Sequence, residues 1–321
     1  MDESSPSLAL VPVFQRLATS KSVLIAGAGG GFDVFAGLPL YFALRAQGKQ
    51  VHLANLSFTY LGGTDADRIG PHLARVSAAT CGEDEYFPER RLAEWFASRG
   101  DDMVIHAFEK VGVGPLRDAY RALVDRLALD TVVLVDGGTD ILMRGDEAGL
   151  GTPEEDMTSL AAVNGLDVAH KLVVCLGFGI DTYHGVCHAH FLENVAALIR
   201  DGGFHGAFSV LAGSPEAMAF LDAVSYAQER TPRRPSIVSG SIAAAIRGEF
   251  GDVQFTTRTT ASELFINPLM ALYFAFELAA VARRSLYLPS LEGTATIFDV
   301  AARIEAFRRR AETRQRRSIP H

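Results

Sequence analysis

The sequence predicts a three-layer, Rossmann-like α/β fold: a mostly parallel sheet with helices on both faces, finished by a helical C-terminal cap. Three observations carry this reading. Short apolar runs end abruptly in Gly, Asp or His clusters, as buried parallel strands do. Segments of helical period separate those runs, and such alternation argues for a sheet covered on both sides. With 321 residues, 48% hydrophobic and 21% charged, the chain can bury a full core. Residues 1–321 read as one domain, within which 236–321 could stand as a helical C-terminal subdomain beyond the linker-like Thr231-Pro-Arg-Arg-Pro235.

Each element has a local reason. Residues 8–20 read as a short helix, and 22–26 as the first strand, closed by glycines. A helix over 34–47 ends at Gly48, and 50–58 is the second strand. Helices over 90–98 and 115–127 flank a short apolar segment, 103–106. Strands at 131–135 and 171–176 are separated by a helix over 154–165. An amphipathic helix follows at 186–200, then a strand at 207–211. Ser214 is placed to N-cap a helix over 215–227. The remainder reads as a helix at 240–250, a strand at 253–257, and helices over 268–284 and 298–312.

Composition narrows the function. A formal net charge of -8 and a pI of about 5.6 argue against a nucleic-acid partner, because phosphate backbones are held by excess Lys and Arg. The basic stretch 303–317 reads as a solvated helical end. The start, Met1-Asp-Glu-Ser-Ser-Pro, lacks the charged and apolar regions of a signal peptide, so a cytoplasmic location is expected. The apolar stretch 268–281 contains Glu277 and is too short for the roughly 20 residues of a membrane span. Cys81, Cys175 and Cys187 have no paired spacing and suit free thiols in a reducing compartment. The expected partner is a small molecule, and a homo-oligomer remains open.

The loop after the first strand, Gly27-Ala-Gly29-Gly30-Gly31-Phe32-Asp33, carries two glycines of a dinucleotide fingerprint. Phe32 stands where the third glycine belongs, and the second strand ends in Asn55 and Ser57 rather than an acid that would hold a ribose. A standard NAD site is therefore not expected. No phosphate-loop lysine follows either. Asp33 enters the first helical turn, where it competes with any phosphate and is better suited to grip a hydroxyl, an amine or a metal.

The strand at 131–135 runs into Asp136-Gly137-Gly138-Thr139-Asp140, followed by Arg144-Gly-Asp146-Glu147. Glycines let backbone approach a ligand, and crowded carboxylates raise one another's pKa, which suits general acid or base work. The strand at 171–176 runs into a loop with Asp181, His184 and His188. We take Asp136, Asp140, Asp146, Arg144 and His184 as catalytic candidates. Ligand-binding candidates are Gly27, Gly29, Gly30, Gly31, Asp33, Asn55, Ser57, Gly137, Gly138, Thr139 and Asp181. If a metal is bound, Asp136, Asp140, His184 and His188 are its candidate ligands, and hard oxygen donors favour Mg or Ca.

Ala26-Gly-Ala-Gly-Gly-Gly-Phe-Asp33, Gly37-Leu-Pro-Leu40 and Asn55-Leu-Ser-Phe58, with Asp136-Gly-Gly-Thr-Asp140, Arg144-Gly-Asp146-Glu147 and Gly151-Thr-Pro-Glu-Glu-Asp156, resemble the family catalogued as domain of unknown function 1152. The resemblance implies that the glycine and acidic loops form one site. It implies no activity. From the residues, the expectation is an enzyme, a hydrolase or lyase on a small polar molecule such as a nucleoside, sugar or amino-acid derivative. Two alternatives stand beside it: a nucleotide-dependent transferase or ligase using the Gly27–Gly31 loop, and a non-catalytic small-molecule-binding protein.

Overall fold

Alternate residues of the first strand serve two different cores, which is why the whole strand is apolar. Leu24 and Ala26 join one cluster of buried side chains, and Val23 and Ile25 join another on the opposite face. The computed structural model describes residues 10–260 and 262–319. The acidic start and residues 8 and 9 of the expected first helix lie outside that range; the helix itself spans Pro12–Arg16.

The strands are Ser22–Gly27 (β1), Gln50–Leu56 (β2), Asp67–Gly70 (β3), Leu73–Val76 (β4), Ile105–Phe108 (β5), Thr131–Asp136 (β6), His170–Leu176 (β7), Phe204–Ser209 (β8), Gly251–Asp252 (β9), Phe265–Ile266 (β10) and Leu272–Glu277 (β11). Among the described residues, nine of them form one sheet in the order β3-β4-β5-β2-β1-β6-β7-β11-β8. β5, β2, β1, β6 and β7 run parallel. The chain builds outward from β1 to β2 and β5, then returns to the other side of β1 for β6 and β7. That reversal leaves a crevice beyond the carboxyl ends of β1 and β6, where open α/β sheets bind ligands. The sheet, its two helical faces and the C-terminal helix Ile297–Arg308 bear out the predicted fold class.

Several local readings are corrected. The expected helix over 34–47 is two helices, Asp33–Ala36 and Leu38–Ala46, interrupted at Gly37. A Cβ on Gly37 would stand 2.6 Å from Ile25 Cγ2, so the chain passes too close to β1 for any larger residue. The expected helix over 268–284 is strand β11 followed by a helix at Leu278–Arg284. β11 lies antiparallel between β7 and β8 and is buried on both faces, so its run of apolar residues has neither a strand's alternation nor a helix's polar stripe. Residues 253–257 are not a strand; the nearby pairing is the two-residue ladder of β9 and β10. The antiparallel hairpin of β3 and β4 was not expected, because its outer strand is polar and partly open to solvent. The helix placed at 240–250 lies at Ile237–Ile246, and Ser214 caps helix Pro215–Arg230 by accepting from Ala217 N–H. Among the described residues, no helix is long and apolar enough to cross a membrane.

Candidate carboxylate centre

β1 and β6 end side by side, and Ala28 N–H donates to Val135 O at 2.8 Å, so their loops enter the crevice together. Helix Pro153–Asn164 is docked beneath them, with Ser159 Oγ–H donating to Ala28 O at 2.7 Å. These three elements deliver Asp33, Asp136 and Asp156, which offer carboxylate oxygens all within 4.8 Å of one another. Asp136 and Asp156 are 3% and 1% exposed, and Asp33 opens partly to solvent. Gly29 makes this convergence possible. A Cβ there would stand 2.8 Å from both Asp156 Oδ1 and Asp33 Oδ2, two atoms that occupy the space a side chain would need.

The neighbouring acids are tied to loop backbone. Gly29 N–H donates to Asp33 Oδ2 at 2.8 Å, and Ile141 N–H to Asp136 Oδ2 at 3.3 Å. Thr139 N–H donates to Asp181 Oδ2 at 2.7 Å, and Thr152 N–H to Asp140 Oδ2 at 2.7 Å. Gly137 lies against Asp33 and Gly138 against Asp181. Asp156 differs from all of these, since its Oδ1 is buried with no hydrogen-bond partner among the described residues.

Burial, and then the charge of Asp140, push the Asp33 carboxyl up to about 8, against the pull of the Gly29 and Gly137 amides. Burial drives Asp136 and Asp156 well above the usual carboxylate range, and the surrounding aspartates add to it. Asp181 is raised in the same way, although the Thr139 amide and hydroxyl oppose the shift. The cause is common to all: several carboxyl groups crowd one largely buried space. The sign of the pH dependence follows. A carboxyl whose folded pKa lies above its unfolded value, about 4, holds its proton only when folded, so stability is present at low pH and lost as pH rises toward 8. Between pH 7 and 8.5 the protein in EDTA is expected to melt progressively lower. Buried His106, pushed down to about 4 by burial, does not titrate in that window folded, nor does an unfolded histidine near 6.5 contribute much above pH 7. Differential scanning fluorimetry across that range checks this, and a melting temperature that rises would show that the centre holds no protons.

A second buried acid adjoins the glycine loop. Glu89, fully buried, accepts from Asn55 Nδ2–H at 2.7 Å, and Asn55 also donates to Gly31 O at 2.8 Å. Burial pushes Glu89 up to about 7, opposed by the hydrogen bond from Asn55. Asn55 Oδ1 and Glu89 Oε2 are left without partners. Phe58 and Tyr86 cover Gly30 and Gly31.

The structure therefore brings together Gly27, Gly29, Gly30, Gly31, Asp33, Asn55, Ser57, Asp136, Gly137, Gly138, Thr139, Asp140 and Asp181 at the mouth of the crevice. Four of the candidates lie apart from the three-carboxylate cluster. Arg144 and Asp146 pair with each other at 3.3 Å, and Asp146 pairs with Arg314 of the C-terminal tail at 2.9 Å. His184 is exposed, edge-on to Tyr183. His188 shares a hydrogen bond of 3.2 Å with Thr182 Oγ1 and packs on Phe178. Sequence reasoning missed Asp156 and Glu89 as site residues. A signal existed for Asp156, since Glu154, Glu155 and Asp156 crowd the first turn of one helix just after Gly151. Glu89 gave none, because it sits in an ordinary polar helix start.

A family model described as "Protein of unknown function (DUF1152)" matches residues 64–317, well over half of the 321-residue chain. The matched range holds Asp136 and Asp156 and begins after the glycine loop and Asp33. No curated protein matches the chain.

Proposed function

The chain belongs to the DUF1152 family, whose description states no activity, and from the carboxylate centre we propose an enzyme that acts on a small polar molecule by hydrolysis or elimination. The substrate class is a nucleoside, sugar or amino-acid derivative, because clustered acids recognise hydroxyls and amines. One observation carries the reading: Asp33, Asp136 and Asp156 converge within 4.8 Å at the switch point. An all-oxygen donor set and the orphaned Asp156 Oδ1 fit a hard divalent cation, Mg or Ca, better than zinc. Bound there, such an ion would supply Lewis-acid activation of a substrate oxygen or of water.

The chain's own residues would do the rest. Thr139 and Thr152 fix Asp181 and Asp140 beside the cluster, where they would orient substrate hydroxyls. His184, exposed on the loop after β7, is the proton carrier open to solvent. Lys110 pairs with Glu155 at 2.6 Å and lies over the ring of Phe58, which ties the first turn of helix Pro153–Asn164 to the end of β2. The alternative of a nucleotide-dependent transferase or ligase has less support. The Gly29 amide it needs for phosphate already donates to Asp33, and Phe58 covers Gly30.

Calorimetric titration with Mn²⁺, Mg²⁺ and Ca²⁺ is expected to find one ion per chain. At 100 times the dissociation constant it should stabilise the fold by about 2.7 kcal/mol. A thermal-shift screen of nucleosides, sugars and amino-acid derivatives with the tightest ion then names the substrate class. Binding of every ion weaker than about 1 mM, a gain of only ~4 kcal/mol at the standard state, would sink the reading.

A further inference from the structure

We infer that the groove beneath the C-terminal helix is a separate binding site for a small organic anion with an aromatic or acyl body. A cavity of about 830 Å³ opens between helix Ile297–Arg308, the turn at 286–290 and the tail that follows the helix. That volume is in the range of small-molecule sites, roughly 300–1,000 Å³. None of Asp33, Asp136 and Asp156 lines it, so it does not depend on the carboxylate centre.

The floor is apolar. Leu286 lies beside the rings of Tyr287 and Phe307, whose centroids are 5.3 Å apart at 34°, and such faces suit a ring or a chain. Tyr287 is 1% exposed, so its ring is held rigidly in the wall. The charge around the floor is unbalanced. Arg303, Arg310 and Arg314 line the cavity with two carboxylates, Asp146 and Glu312. Asp146 is committed to Arg314 at 2.9 Å and Arg144 at 3.3 Å, and Arg314 is held further by Glu193 at 2.7 Å. Arg303 donates from Nη1 to the carbonyls of Ser290 and Glu292, at 2.6 Å each, which fixes its guanidinium without neutralising it. Arg309 pairs with Glu305, whereas Arg310 beside it makes no ion pair among the described residues. Asp299, one turn before Arg303 on the same helix, shares the charge of Arg303, so Arg310 is the guanidinium of the groove left without an acidic partner among the described residues. A planar guanidinium takes carboxylate, sulfonate or phosphate oxygens two at a time, and the ring-lined floor takes the body that carries them.

The probe is 1-anilinonaphthalene-8-sulfonate, an aromatic anion that fluoresces when it leaves water. Full-length protein is expected to bind one molecule per chain. Arg310→Glu is expected to weaken binding at least 10-fold, and Ala306→Trp, which fills the groove from the helix, to abolish it. A readout on the unchanged protein guards against misfolded variants: 2-naphthoate should displace the probe, and the neutral 2-naphthalenemethanol should not. Asp156→Asn should leave probe binding intact, which separates this site from the carboxylate centre. No binding, binding indifferent to both groove substitutions, or equal displacement by acid and alcohol would each overturn the assignment.

Discussion

Asp156→Asn is expected to melt higher than the wild-type protein in EDTA and, at the same time, to lose divalent-cation binding. The two effects have one cause. Asp156 is 1% exposed, its Oδ1 has no partner, and the charges nearest it are those of Asp140, Asp136 and Asp33. Asparagine keeps the shape, removes the proton that the buried carboxyl must take up on folding, and brings an amide N–H that can donate to a neighbouring carboxylate. Relieving an unsatisfied buried polar group returns ~1–3 kcal/mol, or about 2–6 °C in a chain of this size at ~2 °C per kcal/mol. Cation affinity should fall at least about 100-fold, beyond the 10- to 100-fold seen for outer-shell partners. Melting curves with and without Mn²⁺ decide it. A variant that melts lower in EDTA and binds Mn²⁺ like the wild type would make Asp156 a structural residue. Stabilisation by loss of a functional group is the usual mark of a site that works against the fold.

Phe276→Ala is expected to cost about 3–5 kcal/mol, the range for emptying a buried aromatic site. Phe276 is wholly buried on β11, 5.4 Å from the ring of Phe204 on the neighbouring strand, in the core on the side of the C-terminal helix. β11 joins β7 to β8, so a cavity there loosens both its pairings. Phe298→Ala is the control, because Phe298 is 81% exposed and its loss should change stability by no more than about 0.5 kcal/mol. Urea unfolding of the two variants gives the difference. Equal midpoints would mean that β11 is not part of the sheet.

The two centres of charge in this protein show how differently a sequence exposes its parts. Asp136 and Asp33 were legible because each follows a strand directly, and a strand end in an α/β sheet is a position with a known fate. Glu89 enters from a helix start, where an acid is ordinarily a favourable partner of the helix dipole and carries no further meaning, and Asp156 stands out only by the crowding of three acids in one first turn. Arg144 and Asp146 looked like part of the acidic loop because they are near it in sequence. Arg314 lies 168 residues beyond Asp146 and draws it toward the tail, a pairing that no local pattern announces.

What the sequence determined by itself was the parallel heart of the sheet. The apolar runs of β1, β2, β6 and β7, each ended by its own glycine or polar turn, specify buried strands without reference to anything distant, because burial on both faces demands such composition. The glycine loop and the acidic loop at their ends followed from the same local rule. Only the tertiary structure decided that β11 is a strand, since its apolar run satisfies a buried helix and a buried strand equally and gains its identity from the edges of β7 and β8. Only the tertiary structure, likewise, set Asp156 within 4.8 Å of Asp33 and Asp136, because three loops and helix ends must close on one point before their charges can meet.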